Sequence, residues 1–353
     1  MIKFGLVGCG RIAKRHSELL GHNQIENSSL VAVCDIDEEK AKKIGEQFDV
    51  PYYTDMDEMM RNENVDVVSV LTESGNHAQH VANLAKYGKH IVVEKPMALT
   101  VEDTENMIYA CDANDIKLFV IKQNRFNVPV VKLREALDAG RFGKLTLGTV
   151  RVRWARHQAY YDQDPWRGTW AMDGGVLTNQ ASHHVDMLEW MMGDVESVFA
   201  KMTTALANVE TEDTVIVTLK FKNGALGIIE ATTATRPTNL EGSISILGEK
   251  GTVVVGGVAV NEMQTWVFED DQDKDSNILE EFSVNPPNVY GFGHQEYYEH
   301  VVDCIENGSA NLVDGLQGRK SIELISAIYE SAETGKEVFL KFQPKHCRLG
   351  QKR

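Results

Sequence analysis

The chain has few cysteines, no long apolar run and a deficit of positive charge, and each shortage closes off a class of protein. Its five cysteines, at positions 9, 34, 111, 304 and 347, contain no C-x-x-C pair and are odd in number. That excludes a disulfide scaffold and points to reduced thiols in a cytosolic compartment. No apolar stretch approaches the ~18 residues of a membrane span, and the opening MIKFGLVGCG lacks the apolar core of a signal peptide. A cytoplasmic protein with no membrane partner is therefore expected. Lys and Arg number 36 against 52 Asp and Glu, a net charge of −16, so nucleic acid and anionic surfaces would meet repulsion. An anionic substrate would need a local cationic cluster working against that field. Repeats and low-complexity segments are also missing, and 353 residues suit about two globular domains of roughly 100 to 200 residues.

What is present begins with an alternation of strand and helix. Apolar runs at 2–8, 29–35, 65–71, 90–96 and 116–122 are separated by helical stretches at about 11–21, 38–48, 55–62, 76–87 and 101–114. This pattern predicts an α/β Rossmann domain with a parallel, doubly wound sheet over residues 1–122. Residues 123–353 read differently. Alternating segments at 145–154, 196–208, 213–222, 225–234, 242–247 and 252–268, with turn pairs Asn223-Gly224 and Lys250-Gly251, predict a large, mainly antiparallel sheet. Helices at about 129–140, 174–192, 294–307 and 315–334 make the second domain α+β. The last carries Ile322, Ile325 and Ile328 at helical spacing and ends at Gly335.

Gly8-Cys9-Gly10-Arg11-Ile12-Ala13 reads G-x-G-x-x-A at the junction of the first strand and first helix. The first glycine permits the tight turn, the second lets a pyrophosphate approach the backbone, and Ala13 allows close packing of helix on strand. The diphosphate would rest on the free N–H groups opening that helix, at Arg11 and Ile12. Asp35, followed by Ile36, closes the second strand, later than the usual spacing because of the loop GHNQIENS. Its carboxylate should accept from the adenosine ribose diol and oppose a 2′-phosphate, which favours NAD over NADP. Arg11 could alternatively stack on adenine or bind a phosphate. Thr72, Glu73 and His77, then Glu94 and Lys95, follow the ends of later strands, with Gln123 just beyond the fifth. That edge is where open α/β sheets hold ligands, so all six are candidate cofactor contacts.

Together, G-x-G-x-x-A, T-x-x-x-N-H at Thr72–His77, G-K-H-x-x-x-E-K-P at Gly88–Pro96, and Gly174-Gly175 followed by His183-x-x-Asp186-x-x-x-Trp190-x-x-Gly193 resemble the glucose-fructose oxidoreductase/inositol dehydrogenase (Gfo/Idh/MocA) family over almost the whole chain. Within it, segments 122–145, 160–198, 230–237, 242–253 and 285–294 are similar to the bacterial UDP-N-acetylglucosaminuronate 3-dehydrogenases of surface-polysaccharide synthesis. The resemblance implies NAD-dependent oxidation of the sugar C3 hydroxyl to a 3-keto sugar nucleotide, which an aminotransferase uses next. It also implies that the second domain binds substrate and pairs its sheet into a homo-oligomer, a dimer or tetramer.

Oxidising a secondary alcohol needs a base near the hydroxyl proton. The resemblance puts Lys95 and His183 at the reacting oxygen, Lys95 polarising the developing alkoxide, and leaves open which of them takes the proton. Glu94 would pair with Lys95 or touch the nicotinamide ribose. Where the family usually carries Asp, this chain carries Asn179, whose neutral amide is read as orienting substrate or imidazole. A helix through 174–192 would place Asn179 and His183 on one face with Asp186 nearby. His184 is expected to be structural. No metal site is expected, because adjacent histidines diverge by about 100° on a helix and no H-x-x-x-H or cysteine partner stands nearby.

The cationic cluster for diphosphate and carboxylate is sought among Lys95, Arg125, Arg151, Arg153, Arg156, Arg167 and Arg236. Arg151 and Arg153 can equally be an outward-facing strand row. Arg156 and Arg167 bracket the aromatic loop Tyr160–Trp166, a composition suited to a sugar or uracil platform, so Tyr160 and Trp166 join them as substrate contacts. Tyr290 and His294 are further substrate candidates, His294 at a helix N-terminus where a phosphate could sit. Rival readings are a cyclitol or simple sugar dehydrogenase, a redox-assisted glycoside hydrolase and a non-catalytic NAD sensor.

Overall fold

A computed structural model of the chain describes residues 1–270, 277–283, 292–341 and 349–350. Its first stretch runs β1 (Ile2–Val7), α1 (Ala13–Gly21), β2 (Ser28–Cys34), α2 (Glu38–Phe48), β3 (Tyr52–Tyr53), α3 (Met56–Asn62), β4 (Val67–Val70), α4 (His77–Ala85), β5 (His90–Val93), α5 (Val101–Ala113) and β6 (Leu118–Val120). Polar caps set where α2, α3 and α5 begin. Asp37, Asp55 and Thr100 accept from the backbone N–H groups of Lys40, Glu58 and Asp103, and acidic residues occupy each first turn. The strands β4 (VVSV) and β5 (HIVV) are mostly Val and Ile, and β1 and β2 bury most of their residues, as strands covered on both faces require.

Beyond them come α6 (Val128–Asp138), β7 (Leu145–Arg153), α7 (Gln158–Tyr161), α8 (Ser182–Met192), β8 (Val195–Thr203), β9 (Thr214–Phe221), β10 (Leu226–Thr232), β11 (Glu241–Gly248), β12 (Gly251–Gly256), β13 (Glu262–Phe268), α9 (Ile278–Glu281), α10 (His294–Glu306), α11 (Gly315–Thr334) and β14 (Val338–Phe339). The chain forms two compact units, Met1–Ile121 with His294–Ile322, and Lys122–Gly293 with Glu323–Arg353.

In the first unit the described strands form a parallel sheet in the order β3-β2-β1-β4-β5-β6. The order reverses between β1 and β4, the switch point that opens a crevice at the carboxyl edge. The edge strand β3 falls outside the five runs read from the sequence. Two tyrosines are too short a run to register as a strand, and they pair only with Val33 and Cys34. Residues 294–322 join this unit, although a single cut at residue 122 assigns them to the second. On α10, Tyr298 is fully buried, sets its ring edge-on to Phe4 with centroids 5.4 Å apart, and places its hydroxyl 2.6 Å from His16 Nδ1 and 3.2 Å from Ser69 Oγ.

In the second unit the sheet order is β13-β12-β11-β7-β10-β9-β8-β14. All neighbours are antiparallel except β7 and β10, which run parallel from Leu147–Leu226 to Arg153–Thr232. Alternation is clear on β9, where Val215, Val217, Leu219 and Phe221 are buried and Ile216, Thr218 and Lys220 are exposed. Residues 252–268 are two strands rather than one, because Gly257 at φ +83° and Val260 at φ +52° turn the chain back. The expected helix over 174–192 starts at Ser182 instead. Gly174, at φ +81°, and Gly175, where a Cβ would lie 2.1 Å from Glu212 Oε2, hold residues 173–181 as turns.

Candidate functional site

The glycine loop stands at the carboxyl end of β1. Gly8 adopts φ +100°, and a Cβ there would come within 2.7 Å of the Leu71 carbonyl carbon, so only glycine fits. Gly10 is the opposite case: it is exposed, and a Cβ on it would meet nothing within 4 Å. The helix α1 that follows has neither a side-chain cap nor an acidic residue in its first turn, which leaves the N–H groups after Arg11 and Ile12 available to an anion. Asp35 bridges the loop. Its Oδ2 accepts from the Cys9 N–H at 2.7 Å and its Oδ1 from the Asp37 N–H at 2.9 Å. Beside it Ile36 is 91% exposed, an apolar side chain with no cover from the protein. Open space over Gly10, a bare helix N-terminus and an uncovered isoleucine next to an acid suit diphosphate, adenine and ribose diol in that arrangement.

The ends of β4 and β5 are tied together. His77 is buried with Nε2 3.0 Å from the Thr72 carbonyl and Nδ1 2.8 Å from the Pro96 carbonyl. Burial lowers its pKa against the pull of those carbonyls, so the neutral ring donates to one at a time. Thr72 Oγ1 lies 2.9 Å from His80 Nδ1, and Glu73 accepts from Asn76 Nδ2 at 3.1 Å. The structure therefore gives His77 a clamping position, whereas Glu73 and Lys95 are half-buried at the strand ends.

Glu94 is buried, its Oε1 3.1 Å from His16 Nε2 and its Oε2 accepting from the Lys95 N–H at 2.8 Å. Burial alone would raise this carboxyl. The hydrogen bond and charge of His16, aided by Lys95, outweigh burial and hold it at about 2. His16 was invisible to sequence reasoning because its partners lie 78 and 282 residues away. His294, expected to meet a phosphate, is fully buried instead, its ring edge-on to His16 at 5.5 Å. Burial drives its pKa down to about 3, and neither ring nitrogen has a partner among the described residues. His16, Glu94 and His294 bring ligating atoms within 4.8 Å of one another. The existing His16–Glu94 bond, at 3.1 Å, accounts for one of these approaches.

In the second unit, the loop before α8 is anchored by carboxylates. Asn179 Nδ2 donates to Asp173 Oδ1, and Asp173 Oδ2 accepts from the Gly168 N–H at 2.8 Å. His183 lies in the first turn of α8, so Asn179 and His183 do not share a helix face as the sequence suggested. Asp186 turns to other partners. Arg125 grips it in a fork of two 2.8 Å bonds, and Lys122 donates to its Oδ1. Burial opposes ionisation, but Arg125 and Lys122 hold this carboxyl well below the usual range. Arg125 is thus engaged within the protein and leaves the substrate cluster. Gln123 is buried, and its Oε1 has no partner among the described residues. His184 is buried beside Trp154, its pKa pushed down to about 3 by burial alone, as suits a structural residue.

The aromatic loop forms a ladder. Arg156 lies 5.3 Å from the ring centres of both Trp154 and Tyr160, and Arg167 lies 4.8 Å from Tyr160 and 4.5 Å from Trp166. Arg167 also donates to the Tyr160 hydroxyl at 3.0 Å and to Asp164 at 2.9 Å. Arg151 and Arg153 instead pair with Glu230 and Glu241 on the sheet, at 2.6 to 3.7 Å. Arg236 donates to the Thr233 and Thr235 carbonyls. Tyr290 lies outside the described residues.

A parallel sheet with a reversed strand order, a glycine turn that leaves room over Gly10, and an acid closing β2 define a dinucleotide-dependent oxidoreductase. Residues 2–122 match the oxidoreductase family's NAD-binding Rossmann fold, and residues 134–340 match its C-terminal alpha/beta domain. The chain belongs to the Gfo/Idh/MocA oxidoreductase family. It is similar to the WlbA dehydrogenase of Bordetella pertussis, solved with NADH and UDP-GlcNAcA, at 42% identity and TM-score 0.91 over 96% of this chain and 97% of that one. The WlbA dehydrogenase of Chromobacterium violaceum, solved with the same two ligands, is 43% identical with TM-score 0.90 over 96% and 95%. Myo-inositol 2-dehydrogenase of Thermotoga maritima is 29% identical over 96% of this chain and 99% of its own length.

Proposed function

We propose that this NAD-dependent dehydrogenase oxidises the C3 hydroxyl of UDP-N-acetyl-D-glucosaminuronic acid to the 3-keto sugar nucleotide. The observation that carries the reading is identity of 42% and 43%, over 96% of the chain, with two dehydrogenases solved with NADH and UDP-GlcNAcA. Residues 1–122, with Gln123 just beyond them, would hold the cofactor: Gly8, Gly10, Arg11 and Ile12 at the pyrophosphate, Asp35 and Ile36 at adenosine, and Thr72, Glu73, His77, Glu94, Lys95 and Gln123 toward the nicotinamide half. Bound NAD supplies the hydride acceptor.

Lys95 stabilises the alkoxide as the proton leaves, and its backbone is held by Glu94, itself fixed by His16. His183 serves as base or proton relay, with Asn179 orienting the sugar. Arg156 and Arg167, stacked against Tyr160 and Trp166, give forked donors and flat faces to diphosphate, uracil or carboxylate. Tyr290 would complete that set. We assign the second unit, Lys122–Gly293 with Glu323–Arg353, to substrate binding and to homo-oligomer contacts through its sheet, which exposes Ile216, Leu226 and Ile228. A cytoplasmic enzyme fits this role, since among the described residues no helix is long and apolar enough to cross a membrane. An aminotransferase would consume the ketone on the way to a diacetamido uronic acid for bacterial surface polysaccharide, such as O-antigen.

The test is turnover with NAD. UDP-GlcNAcA should reduce it, while myo-inositol and free glucuronic acid should not, and Lys95→Ala should lower kcat by about a hundredfold to ten-thousandfold. Activity confined to the free polyols would replace this reading with the cyclitol dehydrogenase suggested by the Thermotoga relative.

A further inference from the structure

The aromatic loop that carries Tyr160 is built on a helix too short to hold itself. α7 is four residues long, Gln158–Tyr161, and a single helical turn fixes more backbone freedom than its hydrogen bonds return. Gln158 and Ala159 are exposed, as is His157 before them. The position of α7 therefore comes from the rest of the second unit, through a side chain at each of its ends. Tyr161 is buried and sets its hydroxyl 2.9 Å from Thr233 Oγ1. Gln158 uses both ends of its amide on one residue: Oε1 accepts from the Asn208 N–H at 2.8 Å, and Nε2 donates to the Asn208 carbonyl at 3.4 Å.

Both contacts trace back to Asp213. Residues 204–213 connect β8 to β9 as a strap, exposed from Thr204 to Leu206 and buried from Thr211 to Asp213. Asp213 is 1% exposed. Its Oδ1 accepts from the Ala205 N–H at 2.8 Å, and its Oδ2 from the Leu206 and Ala207 N–H groups at 2.7 and 3.0 Å. The next N–H, that of Asn208, is the one Gln158 takes. Four successive N–H groups are thus satisfied by side chains, three of them by one carboxylate. Burial opposes the charge on Asp213, but those three N–H groups hold its pKa below the usual carboxylate value. The Asp213 carbonyl accepts from the Thr233 N–H at 2.8 Å, which fixes the residue that Tyr161 meets. At the other end of the aromatic loop, the Gly168 carbonyl accepts from the Glu210 N–H at 3.0 Å and from Thr211 Oγ1 at 3.2 Å. The strap therefore grips the loop on both sides of Tyr160.

We propose that Asp213 is a positioning residue for substrate binding: by shaping the strap 204–213, it holds Tyr160 between Arg156 and Arg167. It acts through Asn208 and Gln158 rather than by touching the sugar. This inference rests on the assignment of that stack to the nucleotide sugar and adds the element that keeps the stack assembled.

The test compares Asp213→Asn, Gln158→Ala and the double variant, each as the full chain, with NAD and UDP-GlcNAcA. Asparagine turns an NH2 group toward N–H donors and gives up one accepting oxygen, which loosens the strap. KM for UDP-GlcNAcA should rise about tenfold, whereas kcat at saturating sugar and KM for NAD should stay within about twofold. A mere loss of folded protein lowers kcat and leaves KM in place, so the split separates positioning from stability. Gln158→Ala should raise the same KM. The double variant should raise it by less than the product of the two, because both changes cut one chain of contacts. In the ligand-free protein, hydrogen exchange at the amides of residues 158–162 should quicken in Asp213→Asn. An unchanged KM in either single variant, a full product in the double variant, or unaltered exchange overturns the proposal. Gln158 is exposed, so its variant carries the test if Asp213→Asn does not fold. Wild-type protein that turns over UDP-GlcNAcA beside variants of wild-type KM refutes this inference alone. A wild type inert toward UDP-GlcNAcA refutes the underlying reading and this inference with it.

Discussion

Gly10→Ala separates the space reserved for a cofactor from the space the fold needs. A Cβ at position 10 would meet no atom within 4 Å, and Gly10 has no positive φ that an L-residue would resist. Without ligand, alanine should leave stability unchanged or raise it by about 0.4–1 kcal/mol, by narrowing the unfolded ensemble. With ligand the same methyl stands where a pyrophosphate has to approach the backbone. Loss of that approach should weaken NADH binding about tenfold to a hundredfold, or about 1.4–2.8 kcal/mol. Gly8→Ala is the contrasting control. Its φ of +100° would cost an alanine about 1–3 kcal/mol in strain, and its Cβ would lie 2.7 Å from the Leu71 carbonyl carbon. That variant should unfold several degrees early with or without cofactor. Thermal unfolding of the ligand-free proteins and fluorescence titration with NADH give the two readouts. A Gly10→Ala protein that binds NADH as tightly as wild type would refute the placement of the pyrophosphate over this turn.

Two buried acids make opposite predictions. Asp186→Asn takes the carboxylate from Arg125 and Lys122, and should cost about 3–5 kcal/mol in denaturant unfolding. A cost under about 1 kcal/mol would contradict the burial of that cluster. Because the Asp186 carboxyl sits well below its usual range, its contribution is complete above the ordinary carboxylate pKa and is lost only as pH falls through the depressed value in strong acid. Glu212 runs the other way: the folded state keeps its proton up to about pH 7 while the unfolded chain releases it near 4.5. Stability should decline across that window by roughly 3 kcal/mol and level off above it. Glu212→Gln should remove the slope and exceed wild type above pH 7, and an unaltered pH–stability profile would show that Glu212 is ionised throughout.

The Rossmann half was legible because its information is local. Each βα unit announces itself within about 30 residues through an apolar run, a cap and a helical period. The glycine fingerprint needs only residues 8–13 and 35. The second unit was legible in element type but less so in boundaries. Gly174-Gly175 ended the helical pattern more firmly than periodicity suggested, since what Gly175 makes room for is Glu212, 37 positions later in the chain. The Gly257 turn inside 252–268 was masked by the continuous β-branched run on its N-terminal side. Charge pairing was the least legible feature. Arg125, Arg151 and Arg153 were plausible substrate cations until Asp186, Glu230 and Glu241 claimed them across 61 to 90 residues, and sequence spacing carries no trace of such pairs. His16 was overlooked for the same reason: its partners Glu94 and Tyr298 are brought to it only by folding.

The most direct measurement follows the hydrogen that leaves the sugar. UDP-GlcNAcA carrying deuterium at C3, incubated with stoichiometric protein and NAD, should yield singly deuterated NADH in the mass spectrum, and the C4-deuterated sugar should yield none. Unlabelled NADH from the C3-labelled sugar, or label transferred from C4, would contradict the assignment of this chain as a C3 dehydrogenase.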